Sequence, residues 1–446
     1  MMKFGLIVVL LVSFISCTRN QRVVVDFNLV GTNEHQFVLS VDTTEYRVDV
    51  DDRGHGRIVL NELGYGVLKY GKDRIPLFFE SGKSLSIFIY GNKVRQNVRF
   101  EGDGAAKNIY LNGRRFQEGS LDYALGESDF LNQLKDHITS QCEHLDSMSF
   151  DPEFTKMERE RIKFTIYTVL ENYPLYHAWS TGNKDYLPDT AYMDCIRALI
   201  REDEKLMSLK EYKEGMASLV SLISTYRIQE FDAYKRVMAQ FDYVKKNLKN
   251  KVLIEYLIDR FAYNYLVGSG IDEHTEEIVT VYDYYVKDSA LRKHFYDFYN
   301  RCARIVKGCP ALDFAYTDQN GNVVRSLDFR GKYLLLNVWA TWGAPCRIES
   351  VVWDKLVEKF KGKKIAFVSI SCDKDRGTWE RFLKEKHTCD IELHMGENRE
   401  LMDFYLIRGI PRFILIDPEG NIVDSDFLRP TNPETEKILT QLLMGQ

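Results

Sequence analysis

The apolar positions of this 446-residue chain follow three different spacings in succession, and each spacing predicts a different kind of structure. Over residues 23–104 apolar and polar residues alternate, as in Val23–Leu29, His35–Val41 and Leu85–Tyr90, and glycine-containing turn segments separate the runs. Alternation with period two is typical of strands that bury one face. We therefore predict an N-terminal antiparallel β-sandwich.

After Gly104 the apolar spacing changes to about 3.6 residues, and it stays helical over residues 105–306 apart from breaks at glycine and proline. One apolar stripe consists of Phe231, Tyr234, Val237, Met238, Phe241 and Val244, with basic residues between them. Stripes of this kind normally pack in a core, and we prefer that interpretation to a ligand groove. The middle of the chain is therefore predicted to be α-helical.

Strand-like and helical runs alternate over residues 307–446. The strand-like runs include Tyr333–Val338, Ile365–Ile370 and Phe413–Asp417, and the helical runs include Ile348–Phe360 and Pro433–Leu443. This alternation is typical of an α/β domain with a mainly parallel sheet. The whole chain is thus predicted to be a multi-domain α+β protein that ends in an α/β domain.

The N-terminus has the pattern of a secretion signal. Lys3 precedes the apolar run Phe4–Val12, which is too short to span a bilayer, and Cys17 follows a small residue just beyond it. This arrangement resembles the lipobox of bacterial lipoproteins, in which the cysteine is acylated and becomes the first residue of the mature protein. The resemblance implies a signal peptide over residues 1–16, lipidation at Cys17 and a tether over residues 17–22. Ordinary secretion with an incidental cysteine is the alternative.

Composition and charge exclude several other function classes. The chain has 60 basic and 65 acidic residues, and this small negative balance gives no electrostatic case for nucleic-acid binding. Its nine histidines are scattered, and the sequence lacks both a paired zinc-ribbon pattern and a His-Glu-x-x-His motif, so we predict no metal and no cofactor. Of the eight cysteines, seven remain once Cys17 is acylated, so at least one thiol has no partner within a monomer.

Candidate chemistry is concentrated in the segment Trp339-Ala-Thr-Trp-Gly-Ala-Pro-Cys346. A predicted strand leads into this segment and a predicted helix follows, so a thiol stands in the first turn of a helix, where backbone N–H groups stabilise a thiolate. Two cysteines at positions 343 and 346 would share one helix face and could form a bridge. Position 343 is glycine, and only Cys346 is present.

Four ordered motifs of the third region resemble one known family. They are Pro310–Phe314, Leu327–Lys332, Trp339–Cys346 and Ile410-Pro411. They resemble the thioredoxin-like proteins of the TlpA/ResA type, which are membrane-tethered envelope proteins that reduce disulfides. The resemblance implies a thioredoxin-like α/β fold for residues 307–446.

The same resemblance implies a role for each residue of the motif. Trp342 would flank the sulfurs, Pro345 would lie at the start of the helix, and Pro411 would be a cis-proline that faces the sulfurs. In the family the first cysteine attacks a substrate disulfide, and the second cysteine then releases the product. Gly343 occupies the place of the attacking cysteine, and Cys346 occupies the place of the releasing one.

Three outcomes are open for the remaining thiol of the motif. Cys346 is a buried and inert group in a domain kept for binding, or it is a single nucleophile that Gly343 leaves unshielded, with a pKa lowered by the helix N-terminus. Alternatively, it pairs with a cysteine elsewhere. Cys372 follows a predicted parallel strand, on the sheet edge where α/β sites lie, and is the best candidate, with Cys389 next.

The leading hypothesis is that an envelope protein or a peptide binds at the surface around Trp342 and Pro411, with at most single-cysteine chemistry. The alternative is a working thiol–disulfide oxidoreductase that uses Cys346 with Cys372 or with an external thiol. In both cases we expect a protein of the cell envelope that is lipid-anchored to a membrane and faces the periplasm.

Overall fold

The computed structural model describes residues 22–31, 35–41, 44–91, 97–113, 118–228, 232–385 and 391–444. The predicted signal peptide, Cys17 and Cys389 lie outside these residues. The chain divides into two compact units, Met1–Gln229 with Lys246–Leu253, and Glu230–Lys245 with Ile254–Gln446. The domain boundaries placed after residues 104 and 306 stay predictions.

The first unit begins with a β-sandwich. Its described strands are β1 (Val23–Val30), β2 (Gln36–Val41), β3 (Thr44–Asp49), β4 (His55–Leu60), β5 (Gly64–Tyr70), β6 (Asp73–Phe79), β7 (Leu85–Tyr90) and β8 (Val98–Glu101). They form two sheets, in the orders β4-β1-β7-β8 and β3-β2-β5-β6. Alternate residues of both sheets contribute to one core, which confirms the predicted period of two.

One strand pair of the sandwich differs from the prediction. β1 and β7 are parallel, with Val25 opposite Leu85. Parallel neighbours need a long crossover, and here the chain between them forms the four strands of the other sheet and also β4, which pairs with β1. The remaining strand pairs in the described part of the sandwich are antiparallel.

Helices complete the first unit, as the change of spacing predicts. They are α1 (Ala105–Asn112), α2 (Glu127–Ser147), α3 (Pro152–Tyr167), α4 (Tyr173–Thr181), α5 (Thr190–Leu199) and α6 (Lys210–Thr225). The helices α3 and α6 approach closely at Gly215, where an added Cβ would lie 2.8 Å from both the ring and the carbonyl oxygen of Phe164. Only glycine permits this approach without displacement of its neighbours.

The second unit contains most of α7 (Ala233–Asn247) and of α8 (Lys251–Ser269), and all of α9 (Thr275–Tyr285) and α10 (Ser289–Ala303). From Tyr234 onward the predicted apolar stripe lies on α7, where Val237, Phe241 and Val244 are buried, which confirms its interpretation as core. Phe231 lies outside the described residues. Among the helices of the described ranges, none is both long enough and apolar enough to cross a bilayer.

The rest of the second unit is the predicted α/β domain. Its described strands are β9 (Ala315–Asp318), β10 (Val323–Arg325), β11 (Tyr333–Trp339), β12 (Ile365–Ser371), β13 (Ile391–His394), β14 (Arg412–Ile416) and β15 (Ile422–Phe427). Its helices are α11 (Ala344–Lys359), α12 (Arg376–Glu385), α13 (Glu400–Phe404) and α14 (Pro433–Met444). The described strands form one sheet in the order β10-β9-β13-β12-β11-β14-β15.

The strand β11 lies inside this sheet, parallel to β12 and antiparallel to β14. Both of its faces are buried, because Leu334 and Leu336 pack on one side and Leu335 packs on the other against Trp353 of α11. This explains the three successive apolar residues Leu334–Leu336 in the sequence. The carboxyl end of β11 and the first turn of α11 are therefore held on a rigid frame.

Candidate functional site

The candidate site is the turn between β11 and α11. Gly343 is the residue that precedes the helix, and its φ of −75° and ψ of 102° are accessible to residues other than glycine. Pro345 lies in the first turn of α11, where its missing N–H leaves no hydrogen bond unmade. A Cβ added at Gly343 would lie only 2.7 Å from Sγ of Cys346. The absence of a side chain at this position thus leaves room for the thiol rather than relieving backbone strain.

Cys346 is enclosed by apolar side chains. It is 3% exposed and packs in a cluster with Trp339, Trp379 and Leu383. Burial raises the pKa of the Cys346 thiol, although backbone hydrogen bonding at the turn acts in the opposite direction. This direction is the reverse of the one that a single-nucleophile role requires.

Cys372 follows β12, as predicted, but it packs in a different cluster from Cys346. Its cluster includes Leu334, Leu336 and Val338, which point to the face of the sheet opposite Leu335 and Trp339. Burial raises the pKa of Cys372 to about 11. Both cysteines are free thiols in the structure. The proposed pairing of Cys346 with Cys372 stays a hypothesis that this packing does not favour.

Three apolar side chains of the motif and of the helix that follows it are exposed to solvent. Trp342 is 69% exposed, and Ile348 and Val351 on the first turns of α11 are 66% and 57% exposed. We call these three residues the Trp342 surface. The Ile410–Pro411 peptide bond is cis, as the resemblance implies, and Ile410 packs against the cluster that contains Cys346. The residue before the cis-proline thus contacts the cluster that encloses the thiol.

A buried carboxylate that the sequence analysis did not select supports the turn. Asp373 is 3% exposed and accepts hydrogen bonds from the backbone N–H of Thr341 at 3.0 Å, from the Thr341 hydroxyl at 2.8 Å and from the Ser371 hydroxyl at 2.7 Å. Its place just after β12, at the same sheet edge as the motif, was a signal for it. The charge of Asp373 adds to the effect of burial in raising the pKa of Cys346.

A second buried carboxylate lies on the site helix. Glu349 is 5% exposed and follows Cys346 by three residues, so the two share one face of α11. Its carboxylate accepts hydrogen bonds from the backbone N–H of Thr431 at 3.0 Å and from the Thr431 hydroxyl at 2.8 Å.

Over the described ranges, no group of three or more His, Cys, Asp or Glu side chains is arranged to hold a metal ion.

Comparison with known proteins identifies the family of this domain. Residues 331–422 match a family model described as thioredoxin-like. The thiol-disulfide oxidoreductase ResA of Bacillus cereus is 24% identical over 145 residues, which is 32% of this chain and 83% of that protein. ResA of Bacillus subtilis is 28% identical over 119 residues, which is 27% of this chain and 66% of that protein. The C-terminal domain is thioredoxin-like and of the TlpA/ResA type.

Solved structures similar to the thioredoxin-like domain come from Bacteroides vulgatus. One crystal structure, assigned as a thiol-disulfide oxidoreductase, is 35% identical and covers 32% of this chain and 99% of its own, with a TM-score of 0.31. A solution structure with the same assignment is 45% identical and covers 31% of this chain and 92% of its own, with a TM-score of 0.29. These similarities span about a third of the chain.

The turn between β11 and α11 of the thioredoxin-like domain thus contains one cysteine, Cys346, and a glycine at position 343. Thiol–disulfide exchange begins with attack by an accessible thiolate. Gly343 supplies no thiol, and the thiols of Cys346 and Cys372 are buried, with raised pKa values. Trp342, Ala344 and Pro345 of the motif are exposed to solvent, and the indole ring of Trp342 is the largest of these side chains.

Proposed function

We propose that the thioredoxin-like domain binds an envelope protein or an extended peptide on the Trp342 surface, and that Cys346 does not attack disulfides there. The observation that carries this proposal is an exposed Trp342 beside a buried Cys346, with glycine at position 343. Exposed aromatic side chains on a rigid element are typical centres of binding energy in protein interfaces. A binding role also needs no second thiol.

The test uses insulin in two forms, the separated B chain for binding and the intact protein for disulfide reduction. We expect the purified full-length protein to bind the insulin B chain with alkylated thiols, measured by fluorescence anisotropy. Trp342→Ala should weaken this binding by at least about tenfold, because truncation of a central aromatic residue commonly costs about 2 kcal/mol or more. Trp179→Ala is the matched control, since Trp179 is also exposed but belongs to α4 in the other unit.

Intact insulin gives the opposing outcome. We expect no reduction of its disulfides by the native protein above the background of the external reductant, and unchanged B-chain binding by Cys346→Ser. If the native protein turns insulin over and Cys346→Ser abolishes that turnover, the binding proposal is wrong.

A second candidate function is a thiol–disulfide oxidoreductase that uses Cys346 with Cys372 or with an external thiol. One observation favours it: the ResA relatives are thiol-disulfide oxidoreductases by name. Formation of a Cys346–Cys372 bridge on mild oxidation, detected by peptide mass spectrometry, would support this candidate. The packing of the two thiols in different clusters opposes it.

We also propose that the protein is lipid-anchored through Cys17 and faces the periplasm. The support is the lipobox-like sequence and the extracytoplasmic location that is typical of ResA-type proteins. Cys17→Ser should move the protein from the membrane fraction to the soluble fraction. Retention of this variant in the membrane fraction would contradict the anchor.

A further inference from the structure

A cavity of about 660 Å³ lies in the first unit, between the start of β5, the end of β6 and the start of α3. This volume is within the range of small-molecule binding sites. Tyr65, Phe78 and Phe154 form an aromatic wall. Phe78 packs edge-on against both other rings, with centroid distances of 4.9 Å to Tyr65 and 4.8 Å to Phe154. The cavity is therefore suited to an apolar or aromatic body.

The buried cation of the cavity is already fully engaged. Lys107 on α1 is 6% exposed, and its Nζ lies 2.6 Å from a carboxylate oxygen of Glu80 and 2.5 Å from one of Asp151. The same ammonium group lies 5.0 Å and 4.6 Å from the ring centroids of Phe78 and Phe154. A group with these partners is not free to receive an anionic ligand.

Two further carboxylates of the lining have no cationic partner. Glu62 and Glu153 both line the cavity, and neither forms an ion pair with another residue that the structure describes. Oε2 of Glu62 is buried and lacks a hydrogen-bond partner. Four carboxylates, those of Glu62, Glu80, Asp151 and Glu153, line the cavity against the two ammonium groups of Lys83 and Lys107. The lining therefore has an excess of two negative charges.

We propose that this cavity binds a small organic cation, with a primary ammonium group carried on an apolar body. The ammonium group would donate hydrogen bonds to Glu62 and Glu153, and the body would pack on the aromatic wall. The carboxylates of Glu62 and Glu153 give the ammonium group acceptors of opposite charge, and a hydrogen bond between two charged groups is stronger than one between neutral groups. The same chemistry is offered by a free amine and by a lysine side chain of a peptide.

Calorimetric titration of the purified full-length protein tests this proposal with two probes of the same shape. Phenethylammonium should bind saturably, and phenylacetate, which has the opposite charge, should bind at least about tenfold more weakly. Equal binding of the two probes, or no saturable binding of phenethylammonium at millimolar concentrations, would overturn the proposal.

Variants then connect the binding to the cavity. Glu62→Gln should weaken phenethylammonium about tenfold, because a hydrogen bond to a charged group is worth roughly 1.5–3 kcal/mol. Glu101→Gln is the matched control, because it changes an exposed glutamate on β8 outside the lining. Thermal unfolding by circular dichroism verifies that both variants are folded. Equal affinity of Glu62→Gln and the native protein would assign the binding to another place and overturn the proposal.

A third titration, with the tripeptide Gly-Lys-Gly, separates the two sources of the ammonium group. Tighter binding of the tripeptide than of phenethylammonium assigns the cavity to a lysine side chain of a partner. Tighter binding of phenethylammonium assigns it to a free amine. Both results support the site, provided that Glu62→Gln weakens the probe that binds more tightly.

Discussion

At the scale of single residues, Gly343 sets the space next to the Cys346 thiol. Its backbone conformation accepts other residues, and a Cβ added there would lie 2.7 Å from Sγ of Cys346. Across a disulfide, the Cβ of one cysteine lies about 3 Å from the sulfur of the other. A small shift of the Cys346 side chain would therefore allow a bridge between the two positions.

Gly343→Cys should gain the ability to reduce insulin, because the variant restores an attacking thiol at the helix N-terminus. The measurement is the turbidity of precipitating insulin B chain in the presence of an external reductant. Gly343→Ser, which adds a side chain but no thiol, should remain at background. An inactive Gly343→Cys variant that is folded would show that more than the first cysteine is missing.

The burial of the remaining thiols makes a separate prediction about their pH dependence. Burial raises the pKa of Cys346 and that of Cys372, the latter to about 11, so at pH 8 only about a thousandth of Cys372 is thiolate. Only the thiolate reacts with iodoacetamide, so both sites should react more slowly at pH 8 than the exposed Cys195, and the rates should still rise above pH 9. Site-resolved mass spectrometry measures these rates. Faster alkylation of Cys346 than of Cys195 would indicate an activated thiol.

At the scale of elements, the large side chain of Trp353 packs α11, the helix that carries Cys346, against the sheet. Trp353 is 2% exposed, and its ring lies 5.2 Å from that of Phe367 and 5.6 Å from that of Phe413. These two rings belong to β12 and β14, so Trp353 connects the site helix to both neighbours of β11.

Trp353→Ala should lower the free energy of unfolding of the thioredoxin-like domain by about 3–5 kcal/mol, because it removes a large buried ring and leaves a cavity. Urea denaturation measures the change. Val351→Ala, on the exposed side of the same helix, should change the free energy of unfolding by less than about 0.5 kcal/mol. Similar effects of the two substitutions would mean that α11 is not anchored through Trp353.

The strand β13 shows where element prediction from the sequence fails. Its residues Ile391–His394 alternate apolar and charged or polar side chains, but Glu392 and His394 are buried rather than exposed. The segment is short, and its polar residues Glu392 and His394 give no sign in the sequence that the strand lies inside a sheet and is buried on both faces. The longer apolar runs of β11, β12 and β14 carry that signal clearly, and these strands were predicted.

At the scale of the whole molecule, the described chain contains two compact units with separate cores. Units with their own cores commonly unfold as separate transitions. We expect calorimetry to resolve two unfolding transitions. Trp353→Ala should lower the midpoint temperature of the transition that belongs to the second unit. Gly215→Ala should lower the midpoint temperature of the transition that belongs to the first unit. Alanine is the better helix former, but its Cβ would collide with Phe164. A single transition that both variants shift equally would contradict this expectation.

The sequence by itself determined the local features of this protein. The period of the apolar residues indicated the β-sandwich, the helices and the α/β alternation, because side-chain direction in strands and helices follows directly from backbone geometry. The ordered motifs likewise indicated the thioredoxin-like family and, through this resemblance, the cis bond before Pro411. The sequence also shows that position 343, where the family has its first cysteine, is a glycine.

Only the tertiary structure decided the chemical state of the site and the existence of the cavity in the first unit. Burial of Cys346, the support of the turn by Asp373 and the unpartnered oxygen of Glu62 all depend on segments that are distant in the sequence. Desolvation and hydrogen bonding are set by such long-range contacts, so the direction of a pKa shift is not encoded in the motif itself.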